Sequence, residues 1–350
     1  MTHNLPETTQ KSSGIDGRII LPVAKRGRRT AAEQASHAAA LERFYATIRE
    51  IQSRLDFQVS ARGWCYLMEN SGAITKAEFD RVEALLNDAR KSGALPLDIC
   101  AVDNARSFNC LECLDTGDLA EYLKEITGMI ERHFDYYTPF SFWDDKPVYL
   151  EMLVEKIDLK SLFEPICEKI SVPIANAKGW PDIHVRAARM RRFKEHEEAG
   201  RQCVLLYCGD HDPAGLHIAE SYRAMFADIP AIGWKPDSLI IDRFGINADF
   251  IADHRLTWID NLITGSGKDL ADPRHPDHAK PYVQEYLRQF GARKVEANAL
   301  VVAPEAARSL CSAAIEKHLG VDIDAAVEEF ESRLELPRTE ARKMFEEAAK

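Results

Sequence analysis

Residues 203–222 read CVLLYCGDHDPAGLHIAESY, and no other stretch constrains the fold as much. The continuous apolar run CVLLYC has the length and composition of a strand buried on both faces. It stops at Asp210 and Asp212, after which Pro213 and Gly215 open a helical pattern. A buried strand that turns tightly into a helix is the unit of an open α/β sheet, where sites form beyond the carboxyl ends of the strands. Two carboxylates one residue apart at such an end repel each other unless they share a cation or a proton.

A hard divalent cation meets that need. Mg²⁺ takes one or two carboxylates together with waters and phosphate oxygens, so the motif calls for a further acid and a phosphate substrate. Glu155, at the end of the upstream strand pattern PVYLEMLVEK (147–156), supplies the acid. Alternation along that strand puts Glu151 and Glu155 on the face opposite Leu150 and Val154, which makes Glu151 the other candidate. D-x-D-P alone is also an ordinary turn, because Asp, Pro and Gly dominate turns. The strand-terminal Glu155 and the helical patterns on either side favour the metal.

Strand and helix patterns alternate from 147 to 244, which predicts a largely parallel sheet covered by helices. The strands are expected in 147–156, in VPIAN, in CVLLYC and in SLIIDRF. The helices are KIDLKSLFEPICEKI, the basic HVRAARMRRFKEHEEAG and AGLHIAESYRAMFAD, with further acidic helices over 305–350. Before this lies a different organisation. Residues 1–34 are polar, contain KRGRR, and read as a flexible basic arm. Residues 35–58 repeat apolar side chains at helical steps. SARGWCYLMEN begins with Ser60, a helix cap. Thr75 and Glu78 have the capping-box spacing ahead of a helix that ends at Gly93. LPLDICAVD (95–103) reads as extended, 119–137 as a helix, and Pro and Asp near 138–146 as a domain boundary. Three helices and a strand suit a winged-helix module over 35–140, which presents one helix to a DNA groove. The sheet domain then covers 147–350.

The chain has 350 residues, 45% hydrophobic and 29% charged, with a net charge of −11. That composition is globular, and no apolar run approaches the length that spans a bilayer, so no membrane partner is expected. Eight irregularly spaced cysteines and an opening stretch without an apolar core point to a reducing, cytoplasmic setting. The acidic total argues against nucleic acid, but a basic front and an acidic tail leave room for a local DNA-binding face.

LVEK (153–156) followed by CGDHDPAGLHI (208–218) resembles the Toprim metal-binding domain of topoisomerases and related nucleases. The form D-x-D-P-x-G is most similar to the A subunit of type IIB topoisomerases (topoisomerase VI) and the related meiotic double-strand-break protein. SARGWCYLMENSGAITKAEF resembles that family's winged-helix segment, where an arginine precedes the nucleophilic tyrosine by four positions; here the pair is Arg62 and Tyr66. IIDRFGINADFI and RKVEANALVVAPEAARSL resemble the segments that complete the second domain, and place Arg243 and Glu296 near the site. The resemblance implies that Tyr66 attacks a DNA phosphate to form a 5′-phosphotyrosyl bond, with Arg62 as phosphate clamp. It implies that Glu155, Asp210 and Asp212 hold Mg²⁺, that the chain acts on double-stranded DNA as a homodimer, and that strand passage needs a separate ATPase B subunit. ITGSGKD (263–269) lacks the first glycine of a Walker A loop, so ATP use falls to that partner. Cys65 stands before Tyr66 where relatives often carry a second aromatic.

Two other functions stay open on the sequence: a Toprim nuclease that hydrolyses DNA with the same acids and no tyrosine adduct, and a non-catalytic winged-helix protein that binds DNA or a partner. Tyr66 also fits a buried helix face, and His211 fits a bystander turned away from the acids. The arginine-rich helix over 184–200 is either a plain polar face or a wall of the DNA channel. Cys110 and Cys113 form a lone CxxC without the second pair that structural zinc requires. DPRHPDH (272–278) reads as a solvated loop.

Overall fold

The computed structural model describes residues 18–23, 28–101, 118–177, 183–264 and 267–348. The chain divides into two compact units. The first comprises residues 1–102, 157–162 and 298–304; the second comprises 103–156, 163–297 and 305–350. The division falls at 102/103 rather than at 138–146, and the CxxC of Cys110 and Cys113 lies outside the described residues.

The first unit is built from α1 (Ala31–Gln52), α2 (Ala61–Asn70) and α3 (Phe79–Ser92). Its helix starts follow the local chemistry. Thr30 and Glu33 close a capping box at α1, although the sequence pattern placed that helix from 35. The Ser60 hydroxyl accepts the Gly63 N–H at 3.1 Å ahead of α2. Thr75 and Glu78 form the expected box on a single 3₁₀ turn that leads into α3, and Gly93 ends α3 at φ +76°, a left-handed conformation that glycine adopts without strain. Phe44, Ile48, Trp64, Tyr66, Met68, Phe79, Val82 and Leu86 fill the core between these helices. Residues expected in the flexible arm are held in this unit: Ile19 and Leu21 are buried, and the Ile19 N–H donates to the Ala73 carbonyl at 2.9 Å. No strand occurs among this unit's described residues; the segment read as extended contains a 3₁₀ turn, Leu97–Ile99, just after Pro96.

The second unit carries an α/β fold. Helix α4 (Leu119–His133) precedes β1 (Val148–Val154), and α5 (Ile157–Lys169) leads to β2 (Ile174–Asn176). Helix α6 (Ile183–Glu198) returns the chain to β3 (Gln202–Cys208), and α7 (Pro213–Leu216) and α8 (Ile218–Ala227) lead to β4 (Ile240–Arg243). Further helices are α9 (Ala248–Asp253), α10 (Pro281–Phe290), α11 (Pro304–Leu319) and α12 (Ile323–Ala348). The four strands are all parallel, in the order β2-β1-β3-β4, with Val148 opposite Gln202 and Val154 opposite Cys208. The two central strands are buried on both faces, which is why their sequences run apolar without strict alternation. The helix expected over 214–228 is broken at His217 into α7 and α8. The 138–146 stretch is not a linker: Phe142 and Trp143 are buried, and Phe142 packs edge-on against Phe330 at 5.3 Å.

One polar contact runs through this core. Glu151, in the middle of β1, is fully buried and accepts from Arg189 Nε at 2.6 Å and from Arg192 Nε at 2.7 Å, both on α6. The basic helix therefore spends two of its charges inward. Arg186 donates to the Met225 carbonyl at 3.1 Å. Removing one partner of a buried ion pair strands the other. Glu151→Ala is expected to lower unfolding stability by about 3–5 kcal/mol, because Arg189 is 4% exposed. Glu151→Met combined with Arg189→Met should recover most of that loss. Urea denaturation of the single and double variants measures both.

Candidate metal centre

In this strand order the chain winds outward from β1 to β2, crosses back to β3 and continues outward to β4. The reversal lies between β1 and β3, and a crevice opens at the carboxyl ends of the strands flanking such a point. Glu155 follows β1 and Asp210 follows β3, one on each lip. The Glu155 N–H donates to the Cys208 carbonyl at 2.9 Å, which extends the strand pairing up to the acids.

Each carboxylate has one oxygen tied down by the protein. Glu155 Oε2 accepts from the Asp210 N–H at 2.8 Å and from the Tyr207 hydroxyl at 3.2 Å. Asp210 Oδ1 accepts from the Ala297 N–H at 2.7 Å. The opposite oxygens, Glu155 Oε1 and Asp210 Oδ2, both meet the Lys156 ammonium, at 3.0 Å each. One cation thus bridges the two acids.

Asp212 does a different job. Its Oδ1 accepts from the Gly215 N–H at 2.6 Å and caps α7, with Pro213 at the first helical position. Burial raises the Asp212 carboxyl above its usual range, and the negative charge of Glu155 adds to that rise. The structure therefore joins Glu155 and Asp210 on one cation and holds Asp212 beside them as a helix cap. Among the described residues, no three or more His, Cys, Asp or Glu side chains are grouped so that they could hold a metal ion.

The two acids respond differently to this setting. Burial pushes Asp210 up to about 7; Lys156 pulls it down, and Glu155 and Asp212 add to the rise. Burial also acts to raise Glu155, but Lys156 and the Asp210 N–H outweigh it and leave Glu155 below its ordinary value. A pair of hard carboxylate oxygens already drawn to one cation fits a divalent ion, which needs only one or two carboxylates when phosphate and water complete its shell.

The turn between the acids is clamped by Arg243, from the end of β4. Its guanidinium donates to the Gly215, Asp210 and Ile246 carbonyls at 3.1, 3.3 and 2.8 Å, and to Asn247 Oδ1 at 2.7 Å. His211 faces away from the acids. Its backbone pairs with Val295, its Nδ1 lies 3.0 Å from the Tyr286 hydroxyl, and its ring sits among Trp258, Tyr286 and Phe290. Burial lowers its pKa to about 4, so it is neutral near pH 7.

Tyr66 and Arg62 lie in the first unit. Tyr66 is 2% exposed on α2, edge-on to Phe79 with ring centroids 5.1 Å apart, and Lys76 Nζ stands 5.0 Å from its ring centroid. Arg62, one turn earlier, pairs with Glu83 at 3.3 Å and lies over the Phe79 ring. In the 272–278 loop, Arg274 pairs with Asp272 at 2.6 Å and Lys280 with Asp277 at 2.8 Å.

Lys156, Tyr207 and the Ala297 N–H were not singled out from sequence. Lys156 directly follows the candidate acid, which is a readable signal. A backbone N–H has no side-chain signature, and the neighbouring Glu296 drew attention instead. Compared with known protein families, with curated proteins and with solved structures, the chain finds no significant match.

Gly215 is where the turn is tightest. A Cβ there would stand 2.1 Å from the Asp210 carbonyl oxygen, which cannot move without moving the acid. Gly215→Ala is expected to cost about 1–3 kcal/mol of stability, the range for forced overpacking. It should also weaken any Mg²⁺-dependent rise in melting temperature, read by thermal denaturation with and without the ion.

Proposed function

We propose that this chain cuts the backbone of double-stranded DNA with Mg²⁺ through a covalent tyrosine intermediate, after the manner of type IIB topoisomerase A subunits. The reading rests on one observation: Glu155 and Asp210 stand at the carboxyl ends of the two strands flanking the sheet's switch point and share a single cation. The D-x-D-P-x-G turn and the LVEK strand end support it through their resemblance to Toprim domains. On this reading the first unit is a winged-helix module and the second a Toprim domain.

Glu155, Asp210 and Asp212 would hold the Mg²⁺. When bound, the ion supplies positive charge to the phosphoryl and leaving oxygens. Tyr66 gives up its phenolic proton and its oxygen bonds to phosphorus; the bond from phosphorus to the 3′ oxygen breaks, and that oxygen takes a proton. The 5′-phosphotyrosyl bond keeps the phosphodiester energy, so the reverse attack reseals the strand. Arg62 clamps the phosphate. The chain works in the cytoplasm as a homodimer, and an ATPase B subunit drives any strand passage.

A second reading, hydrolysis without an adduct, is favoured by the burial of Tyr66 against Phe79, since an attacking phenol has to leave that packing. Labelled duplex DNA incubated with the full chain and Mg²⁺, then denatured, separates the two. The expected result is a protein–DNA adduct that Tyr66→Phe abolishes and that Asp210→Ala reduces by about 100-fold or more. Cleavage that survives Tyr66→Phe but not Asp210→Ala assigns the chain to hydrolysis. DNA binding without cleavage, unchanged by Asp210→Ala, assigns it to a non-catalytic binding role.

A further inference from the structure

We propose that the Lys156 ammonium is the resident counter-ion of the Glu155–Asp210 pair and leaves its seat when a divalent cation enters. Lys156 thereby acts as a positioning residue that sets how tightly the site takes metal. The inference rests on the reading of this pair as a metal site, and its test separates the two.

Of the four carboxylate oxygens in the pair, two are engaged by protein donors: Glu155 Oε2 by the Asp210 N–H and the Tyr207 hydroxyl, and Asp210 Oδ1 by the Ala297 N–H. The two turned towards a common point are Glu155 Oε1 and Asp210 Oδ2, and Lys156 Nζ is at that point, 3.0 Å from both. A metal that uses both acids approaches the same two oxygens. An ammonium and a divalent ion side by side on one oxygen pair repel strongly in a partly buried site, where little water screens them.

The chain is built for such an exchange. Lys156 immediately follows Glu155, so its long unbranched side chain stays tethered to the site when its head group moves. Its side chain is 26% exposed, which leaves a route to solvent. Without metal the ammonium keeps a buried and a partly buried carboxylate from facing each other uncompensated; with metal it is redundant. Arg189 and Arg192 at Glu151 contrast with this, since their guanidiniums lock onto a fully buried acid through several hydrogen bonds.

Two measurements on the full chain test the proposal. The first labels lysines of the wild type with an acetylating reagent and follows Lys156 by peptide mass spectrometry, with and without Mg²⁺ or Mn²⁺. Lys156 acetylation is expected to speed up severalfold with metal, while Lys317, paired with Asp242 at 2.7 Å, serves as the unchanged control. The second titrates Mg²⁺ against melting temperature for the wild type and Lys156→Met, which keeps a long unbranched side chain. The variant is expected to melt lower without metal and to take Mg²⁺ about tenfold more tightly or better, since the competing charge is gone. Metal that stabilises the wild type without changing Lys156 labelling, or that binds Lys156→Met no more tightly, overturns the exchange and leaves the metal site standing. If metal changes neither the melting temperature nor the labelling of the wild type, both readings fall. The labelling experiment needs no variant, so it decides the matter even where Lys156→Met does not fold.

Discussion

Two carboxylates held against each other at the end of a parallel sheet set the terms for the second unit. Glu155 and Asp210 are brought together by the pairing of β1 with β3, which runs in register from Val148 to Val154 and is extended by the Glu155 N–H. Coulomb repulsion between such groups is large wherever water is scarce, so a fold that makes this juxtaposition has to supply positive charge or donors around it. It supplies Lys156, two backbone N–H groups and the Tyr207 hydroxyl. Even so, Asp210 remains a reluctant anion.

The backbone around the pair explains why the local sequence is so particular. Asp212 caps α7 through Gly215, Pro213 opens that helix, and Gly215 brings the helix against the Asp210 carbonyl, where no side chain fits. Arg243 then ties the Asp210 and Gly215 carbonyls to the end of β4. His211 also has a structural duty: it anchors the turn to Val295 and packs into an aromatic pocket. The same contacts that make the motif a stable turn also aim Asp210 at Glu155. Turn and site are therefore not competing explanations.

What could be read in the sequence follows from the range of the interactions. The four strands, the capping box at Thr75, the Ser60 cap of α2, and helices α4, α5 and α6 depend on neighbours a few residues away, and periodicity and cap chemistry expose them. The break at His217 was missed because the apolar period runs through it. The 3₁₀ turn at Leu97–Ile99 was missed because a short apolar run with a proline reads equally well as extended. The pairing of Glu155 with Asp210 was legible because parallel strand ends converge by rule. The part played by Ala297 was not, because a backbone N–H brought in from a distant loop leaves no mark on residue type. Nor could a polar helix pattern reveal that Arg189 turns inward, since its partner lies on another element.

Glu151 and Glu155 make the sharpest comparison, because they are the same residue type four positions apart on one strand direction. Glu151 is fully buried and faces two guanidiniums from α6, so positive charge around it is in excess and its geometry is closed by several hydrogen bonds. Glu155 is partly exposed and divides one ammonium with Asp210, so there two carboxylates face one cation and each keeps an oxygen directed at it. Burial and the balance of charge therefore both set the two acids apart: the fully buried one is held by two guanidiniums, and the partly exposed one shares a single ammonium with Asp210.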